Sequence, residues 1–282
     1  MQTLPDVKEE QSRKAPARLG LINFINSLPV AIPLLKRCHE IKADIVLGTP
    51  SELNKQYADN KLDLGAMSSF FFLESGDMQL LPEISISSVG AVGSVLFFSK
   101  KNPADLDKCR IAVPKSSATS INLLRVLLKE DYGVEPILTT EAAPDLERDV
   151  FDAALVIGDR ALLVDPEWTT KYHRLDMGSW WFSNYKLPMT FGVWAAKNAF
   201  VEDNNELFSE LCQTHIRARK EGLTADLDAV IDESIERLPM TRERLQKYFL
   251  EELNFEFTPA HDEGLKLYRS LCQKHGLLDS NS

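Results

Sequence analysis

The sequence lacks the short motifs that mark most nucleotide-binding and hydrolytic sites. It contains no G-x-G-x-x-G and no P-loop, so binding of a dinucleotide or a nucleoside triphosphate is not expected. It contains no G-x-S-x-G turn, which argues against a nucleophilic serine hydrolase. Its five histidines form neither H-x-x-x-H nor H-E-x-x-H, and the sequence therefore predicts no dedicated zinc site.

Cysteines and long apolar runs are also scarce. The four cysteines lie far apart and form no C-x-x-C, which is typical of reduced thiols in a cytoplasmic protein; they are Cys38, Cys109, Cys212 and Cys272. No apolar run reaches the length that spans a bilayer. Residues 1–16 contain neither an apolar core of the signal-peptide type nor a lipobox cysteine. We interpret them as a disordered leader and expect the protein in the cytoplasm.

The balance of charge is acidic. The formal net charge of −10 argues against nucleic acid or an anionic membrane as the main partner. A small anionic ligand is compatible with this charge, because helix N-termini act locally. The length of 282 residues exceeds the usual single core and predicts two domains, whereas the sequence leaves the oligomeric state open.

The stretch at residues 18–36 has the pattern of a strand that leads into a helix. The apolar run at residues 19–22 predicts a buried strand, and apolar residues at helical spacing follow it. Asn26 and Ser27 lie between the two, and Pro29 falls in the first helical turn, where a missing N–H costs nothing. In α/β sheets, ligands bind beyond the carboxyl ends of strands, and a helix N-terminus suits an anion.

The same order of elements occurs twice, which predicts an α/β protein with two similar lobes. Residues 18–63 and residues 110–152 each alternate strands with polar turns and helical patterns at nearly the same spacing. We expect lobe I at residues 17–98 and 191–282, including C-terminal helices, and lobe II at residues 99–190. The C-terminal helices carry no concentrated chemistry, and their predicted N-caps are Thr224, Thr241 and Thr258. The aromatic run at residues 70–72 is predicted to pack in the core. The β-rich segments 94–98 and 191–195 are predicted to run side by side as a hinge, with a ligand cleft between the lobes.

Small polar residues recur at the predicted strand ends. They are Asn26, Ser27, Ser68, Ser69, Ser88, Ser117, Thr119, Ser120 and Asp159. Helix-capping preferences account for each of them singly. Together they indicate a pocket rich in hydroxyl and amide groups, which suits a ligand that carries carboxylates.

Five motifs in order resemble those of the chorismate dehydratases of the futalosine route to menaquinone. The segment 26–29 (NSLP) resembles the family's N-(S/T/C)-L-P signature, and 88–95 resembles its S-x-G-x-V-x-S-V segment. The segment 117–124 is similar to its S-x-T-S-x-x-L-L helix start. The segments 153–162 and 176–194 resemble its A-L-x-I-G-D-x-A-L block and its D-L-G-x-x-W and G-L-P-F-x-F-A-x-W segments. The resemblance spans about residues 18–194.

The resemblance implies a fold like that of the type II periplasmic binding proteins, without their export signal. It implies the loss of water from chorismate to give 3-[(1-carboxyvinyl)oxy]benzoate, with no metal or organic cofactor. Our hypothesis is that Asn26 is the catalytic residue and orients the substrate near the leaving hydroxyl. The candidate substrate-binding residues are Ser27, Ser68, Ser69, Ser88, Gly90, Ser117, Thr119, Ser120 and Asp159. No histidine falls in a predicted strand-end loop, so the substrate's own enolpyruvyl carboxylate is the hypothetical proton acceptor.

The sequence is compatible with several further functions. Ser179-Trp180 stands where the family usually has an acidic pair, and Tyr185-Lys186 stands where it has Thr-Gly. These departures allow a changed substrate or a catalytically dead paralogue. The related 1,4-dihydroxy-6-naphthoate-forming cyclase is an alternative that resembles this chain less, because the N-S-L-P turn points to the dehydratase. A carboxylate-binding module without catalysis, either solute-binding or sensory, also fits the pattern, since a fold does not fix a function.

Overall fold

The computed structural model describes residues 17–37 and 40–279, and the leader predicted at residues 1–16 lies outside them. The strands in the described residues are β1 (Ala17–Ile22), β2 (Ala43–Gly48), β3 (Leu64–Ser68), β4 (Met78–Ser88), β5 (Val95–Ser99), β6 (Arg110–Pro114), β7 (Ile137–Glu141), β8 (Ala153–Ile157), β9 (His173–Asp176) and β10 (Met189–Lys197).

Eleven α-helices accompany these strands in the described part of the chain. They are α1 (Leu28–Lys36), α2 (Pro50–Ala58), α3 (Ser69–Ser75), α4 (Ala118–Tyr132), α5 (Gly158–Trp168), α6 (Met177–Tyr185), α7 (Asn198–Asp203), α8 (Asn205–Gly222), α9 (Leu227–Arg237), α10 (Arg242–Lys247) and α11 (Pro259–Lys274). A π-helical turn, Tyr248–Glu252, follows α10 directly. None of these helices has the length and the apolar character that a membrane crossing requires.

Two five-stranded sheets share one topology, which confirms the predicted α/β class and the repeated order. The first sheet has the order β2-β1-β3-β10-β4, and the second has β7-β6-β8-β5-β9. In each sheet three strands run parallel, and the fourth strand pairs antiparallel with its neighbours on both sides. That fourth strand is β10 in the first sheet and β5 in the second. The chain therefore crosses between the sheets after β4 and again before β10.

The predicted side-by-side hinge is wrong. The segments 94–98 and 191–195 form β5 and β10, but β5 pairs with β8 and β9, whereas β10 pairs with β3 and β4. The predicted lobe boundary at residue 98 consequently falls inside a strand of the second sheet. Both segments are apolar because each is a central strand, and an apolar run indicates a buried strand without specifying its sheet.

The C-terminal helices pack on the first sheet and close one of its edges. Helix α8 packs against α1 and β4, and α11 packs against β10 and α4. Backbone N–H groups of Ser87 and Asn254 each donate to the other's carbonyl oxygen, at 2.9 and 2.8 Å, so this stretch covers the edge strand β4. Thr241 and Thr258 cap α10 and α11 as the sequence predicts. Thr224 is not an N-cap: α9 begins after Asp226.

One continuous apolar core joins the two sheets. It contains Leu19 and Val193 of the first sheet together with Ile111 and Leu155 of the second. The aromatic run at residues 70–72 packs into or against this core, as predicted. A smaller cluster around Phe98 covers the other face of the second sheet. Strand ends of both sheets are thereby held facing one another.

Candidate functional site

A cleft with about 520 Å³ of empty space, part of it open to solvent, lies where strand ends of the two sheets meet. Residues from both sheets line it: Ile22, Phe24, Asn26, Pro50, Met67, Ser68, Ile86, Ser94, Val95, Ser116, Ser117, Ser120, Ile157, Gly158, Phe191 and Gly192. None of these residues carries a formal charge. Six of them offer a hydroxyl or an amide, and most of the others are aliphatic or aromatic. The lining therefore suits a ring that carries oxygen substituents.

Five helices begin at this cleft: α3, whose N-cap Ser68 is a lining residue, and four others. The lining includes the residues at or just before the first turns of α1, α2, α4 and α5. Backbone N–H groups in a first helical turn have no partner within the helix, and the helix dipole makes this end positive. Several helix N-termini around one cleft favour the binding of an anion, although the lining residues include no lysine or arginine.

Asn26 lies in the cleft lining at the end of the turn that joins β1 to α1. Residues 25–27 form a single 3-10 turn, which brings Asn26 to the cleft while Ser27 is turned inward and is buried. The Ser27 hydroxyl donates to Asn26 Oδ1 over 3.2 Å. This contact leaves the Asn26 amide NH₂ as a donor for a ligand. Ser27 is not a lining residue; its hydroxyl instead orients the Asn26 amide.

The start of α4 contributes three serines to the wall of the cleft. Ser117 is the N-cap: its hydroxyl oxygen accepts from the Ser120 N–H at 3.3 Å and donates to the Ser120 hydroxyl at 2.8 Å. Thr119 is buried and points away, because its hydroxyl accepts the Phe70 N–H at 3.0 Å. Ser116 also lines the cleft, although the sequence did not single it out as a ligand-binding residue.

The strand β3 supplies Ser68 to the cleft but not Ser69. Ser68 caps α3 by accepting the Phe71 N–H at 3.3 Å, and its hydroxyl also receives the Asn54 amide at 3.5 Å. Ser69 is fully buried, and its hydroxyl donates to the Thr190 carbonyl at 2.7 Å. The two serines differ because Ser68 is the last residue of β3 and the N-cap of α3, whereas Ser69 is the first residue of α3.

Ser88 ends β4 and Gly90 lies in the crossing that follows it, and neither is among the lining residues. The Ser88 hydroxyl donates to the Gly90 carbonyl at 3.0 Å, and a Cβ at Gly178 would collide with both groups. Gly90 has a φ of +108°, a conformation that side chains disfavour. The structure thus gives this pair a role in shaping the crossing.

Asp159 links the two sides of the cleft at its edge. Its Oδ1 accepts the Ile25 N–H at 3.2 Å, which joins the first turn of α5 to the turn before α1. Burial raises the pKa of this carboxyl above its ordinary value, and the bond from Ile25 opposes that shift. The neighbouring Gly158 lines the cleft, whereas Asp159 itself is not a lining residue.

Ser94 is, with Ser116, a polar lining residue that the sequence did not predict, although it lies in the segment 88–95 that resembles a family motif. It is almost fully buried and accepts a hydrogen bond from the Tyr248 hydroxyl at 2.8 Å. A local signal was absent, because a single serine before an apolar strand is indistinguishable from a strand boundary. The apolar wall of Ile22, Ile86 and Phe191 was missed for a similar reason, since these residues look like ordinary core.

The family departures at residues 179–180 and 185–186 lie away from the lining. Trp180 is mostly buried and its Nε1–H donates to Asp131, while Tyr185 stacks at a tilt on Trp181 with a centroid distance of 4.6 Å. Residues 17–37 and 40–279 contain no group of three His, Cys, Asp or Glu side chains that could hold a metal ion.

Solved structures share this fold at low sequence identity. Protein AF1704 from Archaeoglobus fulgidus matches with a TM-score of 0.69 and 19% identity, over 94% of this chain and 100% of that one. The periplasmic aliphatic sulphonate binding protein SsuA from Escherichia coli matches with a TM-score of 0.65 and 14% identity, over 94% and 88% of the two chains. The predicted periplasmic-binding-protein-like fold is confirmed.

Comparison of sequences shows the family. A chorismate dehydratase from Thermus thermophilus is 31% identical over 83% of this chain and 87% of the relative. The sequence model of a family described as menaquinone biosynthesis matches residues 17–274, which is nearly all of the described structure. The resemblance stated from five short motifs is thereby confirmed over the whole fold, and the chain belongs to the menaquinone biosynthesis family.

Proposed function

We propose that this protein is a chorismate dehydratase, a carbon–oxygen lyase that removes water from chorismate to give 3-[(1-carboxyvinyl)oxy]benzoate. The observation that carries the proposal is the 31% identity to a chorismate dehydratase over most of both chains. The cleft supports it, because its apolar wall suits a six-membered ring, and its hydroxyls and helix N-termini suit carboxylates. A cytoplasmic location stays a prediction.

The elimination breaks one C–H bond and the neighbouring C–O bond of the ring. The proton and the hydroxide leave together as one water molecule, and the ring becomes aromatic, which supplies a large intrinsic driving force. The protein's task is then to hold a dianion in the eliminating geometry and to exclude water. In this proposal the amide of Asn26 contacts the departing hydroxyl, and Ser117, Ser120 and the first N–H groups of α4 hold a carboxylate.

Among the lining residues that the structure describes there is no aspartate, glutamate or histidine. Asp159 follows the lining residue Gly158 in the chain, and its Oδ1 already accepts the Ile25 N–H. For this reason we retain the substrate's own enolpyruvyl carboxylate as the proposed proton acceptor. Thr119 and Ser69 pack behind the wall of the cleft and do not contact the ligand in this proposal, because their hydroxyls form hydrogen bonds with backbone groups.

The first test is incubation of the purified protein with chorismate, followed by absorbance and mass of the product. We expect a product that is lighter than chorismate by the mass of one water molecule and that has an aromatic ultraviolet band. Chorismate recovered unchanged after binding would instead favour a binding module, the second candidate that the periplasmic-binding-protein fold suggests.

Substitution of Asn26 tests the mechanism. Asn26→Ala is expected to keep chorismate binding and to lower kcat by about 100-fold or more, because a positioning contact to the leaving group is lost. Asn184→Ala, on the exposed side of α6, is the matched control and should leave kcat unchanged. An unchanged kcat in Asn26→Ala would remove this residue from the mechanism.

A further inference from the structure

The hydroxyl of Ser94 is fixed from several directions at the wall of the cleft. Tyr248 Oη lies 2.8 Å from Ser94 Oγ, and the Gly158 N–H donates to the Ser94 carbonyl at 2.7 Å. The remaining contact of the Ser94 hydroxyl is a long one, 3.4 Å to the Val92 carbonyl. Because a phenol is the stronger acid, Tyr248 donates and Ser94 accepts. The Ser94 proton is then free to turn from Val92 toward an acceptor in the cleft.

Tyr248 comes from the C-terminal part of the chain, where the sequence showed no concentrated chemistry. It is fully buried and is the first residue of the π-helical turn, which closes with a 3.0 Å bond from the Leu253 N–H to the Tyr248 carbonyl. π-Helical turns are rare and occur often at functional sites. Burial raises the pKa of the Tyr248 hydroxyl, so it remains a donor at neutral pH.

The π-helical turn packs directly on the crossing that carries Ser94, through Glu252 at its end and Gly93. Arg244 Nη2 lies 3.0 Å from Glu252 Oε2, and this carboxylate occupies the place where a side chain at position 93 would project. Gly93 has a φ of +66°, so both its conformation and its neighbour require glycine. The position of Tyr248 relative to Ser94 is therefore fixed by two further contacts, Glu252 against Gly93 and the Gly158 N–H on the Ser94 carbonyl.

We propose that Tyr248 is a positioning residue that orients the Ser94 hydroxyl as a hydrogen-bond donor to an oxygen of the bound ring acid. This inference rests on the proposed function, because it assumes that the cleft binds chorismate. The C-terminal segment would then contribute to the site through Tyr248, which neither the polar residues at strand ends nor the five motifs predict.

A double-mutant cycle tests the inference with the full chain. The variants are Tyr248→Phe, Ser94→Ala and the pair, and each is measured for the Kd of chorismate and for kcat/KM. Both substitutions delete one oxygen and keep the packing, and thermal unfolding checks the fold. Tyr57→Phe is the matched control, since this tyrosine is also buried and its hydroxyl donates to the Ala66 carbonyl at 3.4 Å, away from the cleft.

Tyr248→Phe is expected to weaken kcat/KM about fivefold to tenfold when Ser94 is present, the effect of one lost hydrogen bond. In the Ser94→Ala background the same change should cost less than about twofold, because Tyr248 acts through Ser94. A merely structural role predicts equal losses in both backgrounds, and that result overturns the inference. Tyr57→Phe should show no coupling to Ser94.

The two proposals fail in different ways. Tight binding of chorismate without turnover overturns the dehydratase proposal. The double-mutant cycle then tests the role of Tyr248 through the Kd of chorismate alone. Normal turnover by the unsubstituted protein with additive effects in the cycle sinks only the role of Tyr248. Absence of both binding and turnover overturns both.

Discussion

His215 is buried within α8 without a charged partner. Its Nδ1 lies 2.7 Å from the Leu211 carbonyl, and its Nε2 has no hydrogen-bond partner among the described residues. Burial therefore lowers the pKa of His215 to about 4. The imidazole is neutral in the folded protein throughout the range in which histidine in an unfolded chain takes up its proton.

This depressed pKa makes stability depend on pH. Between about pH 6.5 and pH 4 the unfolded chain binds one more proton than the folded chain at this site, so the free energy of unfolding falls as the pH falls. We expect this residue alone to remove about 2 kcal/mol between pH 7 and pH 5. Urea unfolding at both pH values measures the loss. His215→Leu should reduce it by that amount, whereas His173→Leu, at an exposed position, should not; equal pH dependence in His215→Leu would refute the prediction.

At the scale of an element, the crossing after β4 depends on one carboxylate. Asp176 is buried and accepts the N–H groups of Val92 at 3.1 Å, Gly93 at 2.8 Å and Ser179 at 2.9 Å. It therefore caps α6 and secures the crossing at the same time. The sequence showed this residue only as part of a family motif. Its position as the N-cap of α6 is local, but its bonds to Val92 and Gly93 join residues 84 and 83 positions apart and cannot be read from spacing.

Removal of this carboxylate is predicted to destabilise the fold strongly. Asp176→Ala leaves the buried N–H groups of Val92 and Gly93 and the partly buried N–H of Ser179 without this acceptor, and each buried group costs about 1–3 kcal/mol. We expect a total loss of about 3 kcal/mol or more in the free energy of unfolding, measured with urea. Asp176→Asn keeps one acceptor oxygen and should lose clearly less. Equal and small losses in the two variants would show that water replaces the carboxylate.

The elements were predictable where the pattern is local. The strand and helix starts around Ser117 and Thr258 followed from capping residues and hydrophobic spacing, and the structure confirms them. The sheet of β5 was not predictable, because pairing depends on contacts between distant residues. Likewise, polar residues at strand ends identified the region of the cleft, but only the structure separates Ser68 in the wall from Ser69 behind it.

On the scale of the whole molecule, the sequence suggested two units, whereas the packing makes them interdependent. The main apolar core includes residues from both sheets, and the Tyr268 hydroxyl of α11 donates to the Thr119 carbonyl of α4 at 3.0 Å. A separate, smaller cluster around Trp168 covers the outer face of the second sheet. Unfolding one sheet would expose apolar surface of the other, at about 25 cal/mol per Å².

This shared core predicts a single cooperative unfolding transition. Trp168 reports on the outer cluster of the second sheet, and Trp194 in β10 reports on the first sheet. Because Trp180 and Trp181 also fluoresce, the signal of each reporter is the difference between the unsubstituted protein and the variant Trp168→Phe or Trp194→Phe. Both difference signals should change at the same urea concentration as the far-ultraviolet circular dichroism. Two separated midpoints of the difference signals would mean that each sheet is stable without the other. Coincident midpoints would mean that the cleft walls form and are lost together, because the core that holds the facing strand ends is common to both.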